Sequence, residues 1–207
     1  MAEVRVDSSE TGVTPSPRDS MREAILSGAR SCILRYGIAK TTMDDIAKEA
    51  GYSRPTVYRY FNDRTELVTA LVDVRAREVL EETQQFLARD GNDWTFADKV
   101  TAGLLHVVIN ARHDPIVAIA LNPGNQEDAS WLKTLELAES LTAALWDGFF
   151  KAAQAAGEMR SGLDDSDLYT WLAMTQLDLF NLMKFKDSDD QRYETFIRQF
   201  ILPALLP

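Results

Sequence analysis

Apolar residues recur every three to four positions through most of this 207-residue chain, and no stretch alternates apolar with polar as a half-buried strand would. Met21, Ile25, Ala29, Cys32, Ile33 and Tyr36 keep the helical spacing, with an N-cap at Asp19 or Ser20 and a stop at Gly37. Ile46, Ala47 and Ala50 form a second, short stripe. Leu67, Leu71, Val74 and Leu80 form a long one, starting at Asp63 and running to about Ala88. Further helices are predicted over Trp94–Arg112, Ile116–Leu121, 130–156, 168–185 and 191–206, separated by RDGND (89–93), NPGNQ (122–126) and GLDDSD (162–167), with Pro203 ending or kinking the last. No repeat at a fixed period appears. The reading is an all-α chain of about nine helices.

The local chemistry is densest over residues 41–61, TTMDDIAKEAGYSRPTVYRYF. Thr42 and Asp45 have the spacing of a capping box, in which each side chain takes an orphan amide of a helix start. Gly51 follows the stripe where a helix stop needs the left-handed region. Ser53 supplies the next N-cap, and Pro55 sits in the first turn, where its missing N–H costs little. Val57 is the one clear apolar position of this second helix and is expected to pack on Ile46 and Ala47. Arg54, Pro55, Thr56, Tyr58 and Arg59 remain around an outward face. Two short helices joined by a glycine turn form a helix-turn-helix, whose second helix enters the DNA major groove.

The run Thr42-Met43-Asp44-Asp45-Ile46-Ala47, then Ala50-Gly51, Thr56-Val57-Tyr58-Arg59-Tyr60-Phe61 and Glu66-Leu67, resembles the N-terminal domain of the tetracycline-repressor (TetR) family over about residues 20–70. One departure is Arg64, where the family usually has Lys. The charge is kept, as a planar fork rather than a point charge. The resemblance implies a bacterial transcriptional regulator, a repressor that binds a palindromic operator as a homodimer and is released by a small effector. It implies phosphate contacts by Thr42, Tyr60 and Arg64, a signal carried by the helix that starts at Asp63, and pairing of the last two helices across a two-fold axis. The residues themselves offer Arg54, Thr56, Tyr58 and Arg59 for reading bases, since Arg pairs with guanine and the Thr methyl with thymine.

The expected domains are a disordered Ser/Thr/Pro-rich tail (1–18), a DNA-binding domain (19–62) and a ligand-binding and dimerisation domain (63–207). A net charge of −10 looks wrong for a DNA binder until it is divided along the chain. Residues 18–64 hold nine Lys/Arg against six Asp/Glu, whereas residues 65–207 hold twelve against twenty-three. The basic excess therefore falls on the part that would meet phosphate. Arg5 and Arg18 are too few for the net-acidic tail to act as a minor-groove arm. No apolar run reaches the roughly 18 residues of a membrane span, and the N-terminus lacks the apolar core of a signal peptide. A lone cysteine, Cys32, reads as a small core residue. A cytoplasmic location and no membrane partner are expected.

No catalytic motif or phosphate loop appears, and the paired carboxylates read as caps or solvated faces, so neither an enzyme nor a cofactor is expected. His106, Asn110 and His113 share a helix face. Without a clear carboxylate partner this is a polar or pocket-lining stripe rather than a metal site, and no metal is expected. Aromatics at helical spacing are core first and pocket walls second. On that basis His106, Asn110, Trp131, Trp146, Trp171, Met174 and Asp178 are the candidate ligand contacts. Asp178 stands out as a carboxylate on an otherwise apolar helix, expected to be buried and to need an arginine or a cationic ligand. The expected ligand is mainly apolar, aromatic or cationic. Leu168, Leu172, Leu179, Leu182, Phe196 and Phe200 are the candidate dimer contacts. Two other readings stay open: a DNA-binding regulator controlled by a protein partner, and an all-helical ligand carrier without regulatory DNA binding.

Overall fold

The computed structural model describes the backbone over residues 16–90, 93–120, 128–185 and 190–207, and side chains over 16–90, 93–118, 135–183 and 190–207. Among these every regular element is helical: α1 Pro17–Tyr36, a 3-10 turn Ile38–Lys40, α2 Met43–Ala50, α3 Arg54–Tyr58, α4 Arg64–Asp90, α5 Phe96–His113, α6 Pro115–Ala120, α7 Asp128–Ala156, α8 Asp165–Phe185 and α9 Asp190–Phe196. The all-helical expectation holds. Helix α1 begins earlier than predicted, because Ser16 rather than Asp19 or Ser20 is its N-cap, accepting from the Asp19 amide. The rest of the expected tail, with Arg5, and the NPGNQ break lie outside the described residues. The chain divides into two compact units between Leu67 and Val68, inside α4.

In the first unit α1 packs against α2, and α2 against α3. Ile25, Ala29, Ile33, Ile46, Ala47, Val57, Phe61 and Leu67 are buried there, and the Arg22 guanidinium lies 5.5 Å over the Phe61 ring. In the second unit α7 packs along α8, and α5 packs on α8, α9 and the C-terminal turns. Thr95 and Asp98 cap α5 with a reciprocal box, and Asp98 also accepts from Arg198 at 2.8 Å. Trp146 stacks on Phe150 with ring centroids 5.3 Å apart. The indole can lie this close to α5 only because residue 103 is glycine: a Cβ there would fall 2.5 Å from Trp146 Cη2.

The last predicted helix is broken. Helix α9 passes into a π turn, Ile197–Ile201, and then a 3-10 turn, Leu202–Ala204. Pro203 explains this, since it has no N–H to give the carbonyl four residues back and its ring crowds that carbonyl. The freed C-terminal carbonyls find another partner in the α7–α8 loop, where the Arg160 amide donates to Leu205 O at 2.9 Å.

Helix α8 corrects two expectations together. Leu168, Leu172 and Leu179 are buried inside this chain, at 5%, 0% and 3% exposure, and Leu182 is half-buried against the same core. Leu168, Leu172 and Leu179 have no surface to offer a second copy. Met174 is 48% exposed and Asp178 is exposed, so neither belongs to an interior pocket and Asp178 needs no buried partner. A helix apolar on two sides gives a periodicity with two solutions, and the buried side is the one first read as an interface.

Asp114 is a buried carboxylate at the corner between α5 and α6. Its Oδ1 accepts from the Ile116 and Val117 amides at 2.9 and 3.0 Å, capping α6. Its Oδ2 accepts from Arg75 Nε of α4 at 2.5 Å, while Arg75 Nη1 reaches Glu78 at 2.7 Å and Glu82 at 3.1 Å. Burial alone would raise the Asp114 pKa. The Arg75 side chain and the two amides outweigh it and hold the carboxyl below its ordinary range. A carboxyl depressed in the folded state stabilises fully above its unfolded pKa of about 4, and that stability is lost as pH falls through the folded value. Asp114→Asn is therefore expected to cost about 2 kcal/mol at pH 7 and to flatten the fall in stability on the acid side. Urea unfolding followed from pH 7 to pH 3 checks both.

Candidate nucleic-acid interface

The helix-turn-helix is assembled by caps. The Thr42 side chain accepts from the Asp45 amide, and the Asp45 carboxylate takes both the Thr42 amide (3.1 Å) and hydroxyl (2.6 Å). These bonds from Thr42 hold Asp45 below the usual carboxylate range. The amides of Met43 and Asp44, in the first turn of α2, belong to the group that has no intrahelical acceptor. Gly51 closes α2 in the left-handed region, at φ 75° and ψ 24°, and the Tyr52 amide returns to Ala47 O at 2.9 Å. Ser53 then caps α3 and its hydroxyl lies 2.8 Å from that of Thr56.

Helix α3 spans five residues, shorter than expected, because Arg59 already serves as its C-cap. Val57 is wholly buried. Around the rest of the helix Arg54, Tyr58 and Arg59 are exposed, and Thr56 and Tyr60 are half-exposed. This is a reading face of one anchored side chain and several free ones. Arg54 is not idle on that face. It pairs with Asp44 of α2 at 3.1 Å and lies 5.4 Å over the Tyr58 ring. The Asp44 partnership is ten residues away in sequence and went unpredicted; the only available signal was that Asp44 follows a cap and so points outward at a helix start.

Arg64 differs from the other cations. Its Nη1 donates to Ile38 O at 2.8 Å and Thr41 O at 3.3 Å, with Ala39 O at 3.5 Å. Its partners are backbone carbonyls, and no carboxylate pairs with it among the described residues. Thr41 itself is buried, with its hydroxyl on Gly37 O at 2.9 Å.

The candidate effector residues divide. On α4 and α5, Thr83 Oγ1 donates to Val79 O at 2.8 Å and meets His106 Nδ1 at 2.9 Å. Nδ1 also lies 3.1 Å from Asn110 Nδ2, so whether it donates or accepts depends on the tautomer. Burial pushes the His106 pKa down, opposed by Glu82, and the ring is neutral at pH 7. It stacks on Phe86 with centroids 4.4 Å apart, and Asn110 Nδ2 donates to His106 O at 2.8 Å. One helical turn away on α5 is Gly103, under the Trp146 indole. Trp146 is 1% exposed, and its Nε1 donor has no acceptor among the described residues. Trp171 is half-buried against the core; the side chain of Trp131 lies outside the described residues. Groups of three or more potential metal ligands are absent among the described residues, and no helix described is long and apolar enough to cross a membrane.

Comparison with known proteins converges on the first unit. Residues 25–71 match the family model for bacterial regulatory proteins of the tetR family. The transcriptional regulator TtgR of Pseudomonas putida is 38% identical over 76 residues, 37% of this chain and 34% of that protein. The transcriptional repressor BepR of Brucella suis is 28% identical over 145 residues, 68% of this chain and 69% of that one. Among solved structures, the transcriptional regulator FadR of Bacillus subtilis, in complex with stearoyl-CoA, matches with a TM-score of 0.64 at 18% identity, covering 88% of this chain and 98% of that one. At that identity the likeness shows the fold alone. With the capped helix-turn-helix in place and the family model spanning it, residues 25–71 form the helix-turn-helix domain of TetR-family transcriptional regulators.

Proposed function

We propose that the protein is a repressor that binds a two-fold symmetric DNA operator as a homodimer and lets go when a small, mainly apolar and uncharged molecule binds in its second unit. It acts by binding and not by catalysis. The observation that carries the DNA reading is the outward face of α3, Arg54, Thr56, Tyr58 and Arg59, on a helix whose single buried anchor is Val57. Thr42, Tyr60 and Arg64 are proposed to hold phosphates around it. Such contacts set register without reading sequence.

The homodimer is supported by the side of α8 and α9 that this chain leaves uncovered. Phe196 and Phe200, with ring centroids 5.0 Å apart, are 36% and 67% exposed, and Met174 on α8 is 48% exposed; open large apolar side chains of this kind suit an interface. The effector reading is supported by the neutral polar groups where α4 and α5 meet, Thr83, His106 and Asn110, and by the unpaired Trp146 N–H one turn away. With Asp178 on the surface, the case for a cationic ligand falls. The repressor BepR and the acyl-CoA complex of FadR give precedent for both halves of the reading. Helix α4 contains residues of both units, and a ligand that favours the released state is proposed to act through it, since only differential affinity shifts such an equilibrium.

Three outcomes follow. Arg59→Ala is expected to relax preference at particular operator base pairs by roughly 5- to 150-fold; Arg54→Ala should do so less, because Arg54 must first leave Asp44. Binding to a set of single-base operator variants measures this, and equal loss on all of them would make both residues phosphate contacts. Phe200→Asp is expected to yield folded monomers with weak operator binding, seen by ultracentrifugation with circular dichroism, whereas a wild type already monomeric at micromolar concentration refutes the dimer. Finally, any compound that quenches tryptophan fluorescence by binding should bind more weakly in the presence of operator, by the same factor with which it weakens the operator complex. Equal affinity with and without operator moves the reading to a regulator controlled by a protein partner.

A further inference from the structure

Helix α4 starts on a fixed footing. Asp63 accepts from the Glu66 amide at 2.8 Å, and Glu66 returns to the Asn62 amide at 2.7 Å. From that footing the Arg64 side chain crosses to the 3-10 turn Ile38–Lys40 and to Thr41, the residue before the cap of α2. The turn is a single helical turn: Ile38 O already accepts from the Thr41 amide at 3.3 Å, and Arg64 Nη1 adds a second donor there while also reaching the Ala39 and Thr41 carbonyls. Arg64 Nη1 has two N–H groups and spends them there. Nη2 and Nε carry three more, and these make no hydrogen bond within the unit among the described residues. Arg54 on α3 is paired with Asp44. Arg64 has only carbonyl partners among the described residues.

We propose that Arg64 is a positioning residue of the DNA interface as well as a charge on it: Nη1 fixes the Ile38–Thr41 corner, and with it the Thr42 cap and the open amides of α2, while Nη2 and Nε are left for a phosphate. This rests on the DNA-binding reading. The division of labour needs a fork. A lysine at 64 carries the same charge on a single nitrogen, which cannot stand at the corner and at a phosphate together. The Thr41 carbonyl is the first step from the corner into α2, so an unheld corner loosens the place where α2 would meet the DNA backbone.

The test compares Arg64→Lys and Arg64→Ala with the wild type in two independent measurements. The first is amide hydrogen exchange over residues 38–46 in the absence of DNA. Both variants are expected to exchange at least about threefold faster there, with residues of α5 and α8 unchanged. The second is binding to a duplex selected by the wild type from a random-sequence pool, over a range of salt. Arg64→Ala should lower the slope of log K against log salt by roughly one. Arg64→Lys should keep the slope and still lose affinity about tenfold. Wild-type protection and wild-type affinity in Arg64→Lys would overturn the proposal, leaving Arg64 a plain charge. A wild type that selects no duplex would defeat the DNA reading, and the exchange measurement would still decide whether Arg64 holds the corner.

Discussion

A helix of five residues cannot hold itself together in water, because the cost of fixing its first turn is spread over too few bonds. Helix α3 is such a helix, and its outward face depends on what holds it from outside. Ser53 supplies the N-cap, Pro55 presets a backbone angle, and Val57 is wholly buried on a helix that packs against α2. Phe61, buried just beyond the C-cap and covered by Arg22, anchors the far end. The side chains that face outward contribute almost nothing to this. They are free to vary with the sequence they must read, which is what a recognition surface requires.

The second unit answers a different constraint. Its helices are long enough to form by packing, so the question is which side of each turns inward. Gly103 lets the Trp146 ring settle against α5, and Asp114 joins the ends of α5 and α6 to α4 through Arg75. The polar residues Thr83, His106 and Asn110 between α4 and α5 are uncharged at neutral pH, and among the described residues the carboxylates of this unit, Asp114 apart, lie toward solvent or in partly exposed ion pairs. Such an interior would favour a molecule that brings hydrogen-bond acceptors and apolar surface and would discriminate against one that brings charge.

The sequence was most informative where the chemistry is local. The capping box at Thr42 and Asp45, the glycine stop at 51 and the Ser53 cap are all relations among neighbours, and each stands where it was read. The reading was weakest where two distant residues decide the outcome. Arg54 meets Asp44 across the turn, and Arg64 reaches the carbonyls of residues 38–41; spacing alone carries no trace of either. Helix α8 failed for another reason. Its apolar residues cover more than half its circumference, so the pattern fixed a helix and left its rotation open, and the buried and exposed stripes were exchanged. The neutral cluster at His106 was legible as a polar stripe, but Thr83, its partner on α4, looked like any other position of a long helix.

The π turn ahead of Pro203 bears on how this chain tolerates change in length. A π turn accommodates one residue more than an α turn, and one residue is about 100° of rotation. Phe200, in the π turn, faces out, whereas Leu202 and Leu205 after it face in and are at most 3% exposed. Conservative replacements along Ile197–Ile201 leave this phase alone. Removal of one residue from the segment lets the ladder return to α with the positions after it close to their present phase, whereas the same deletion in an ordinary α stretch swings everything after it by about 100° and exchanges solvent-facing for core-facing positions. The segment is thus where this terminal region best absorbs a one-codon deletion, a tolerance set by helix geometry and not by the identity of any side chain in it.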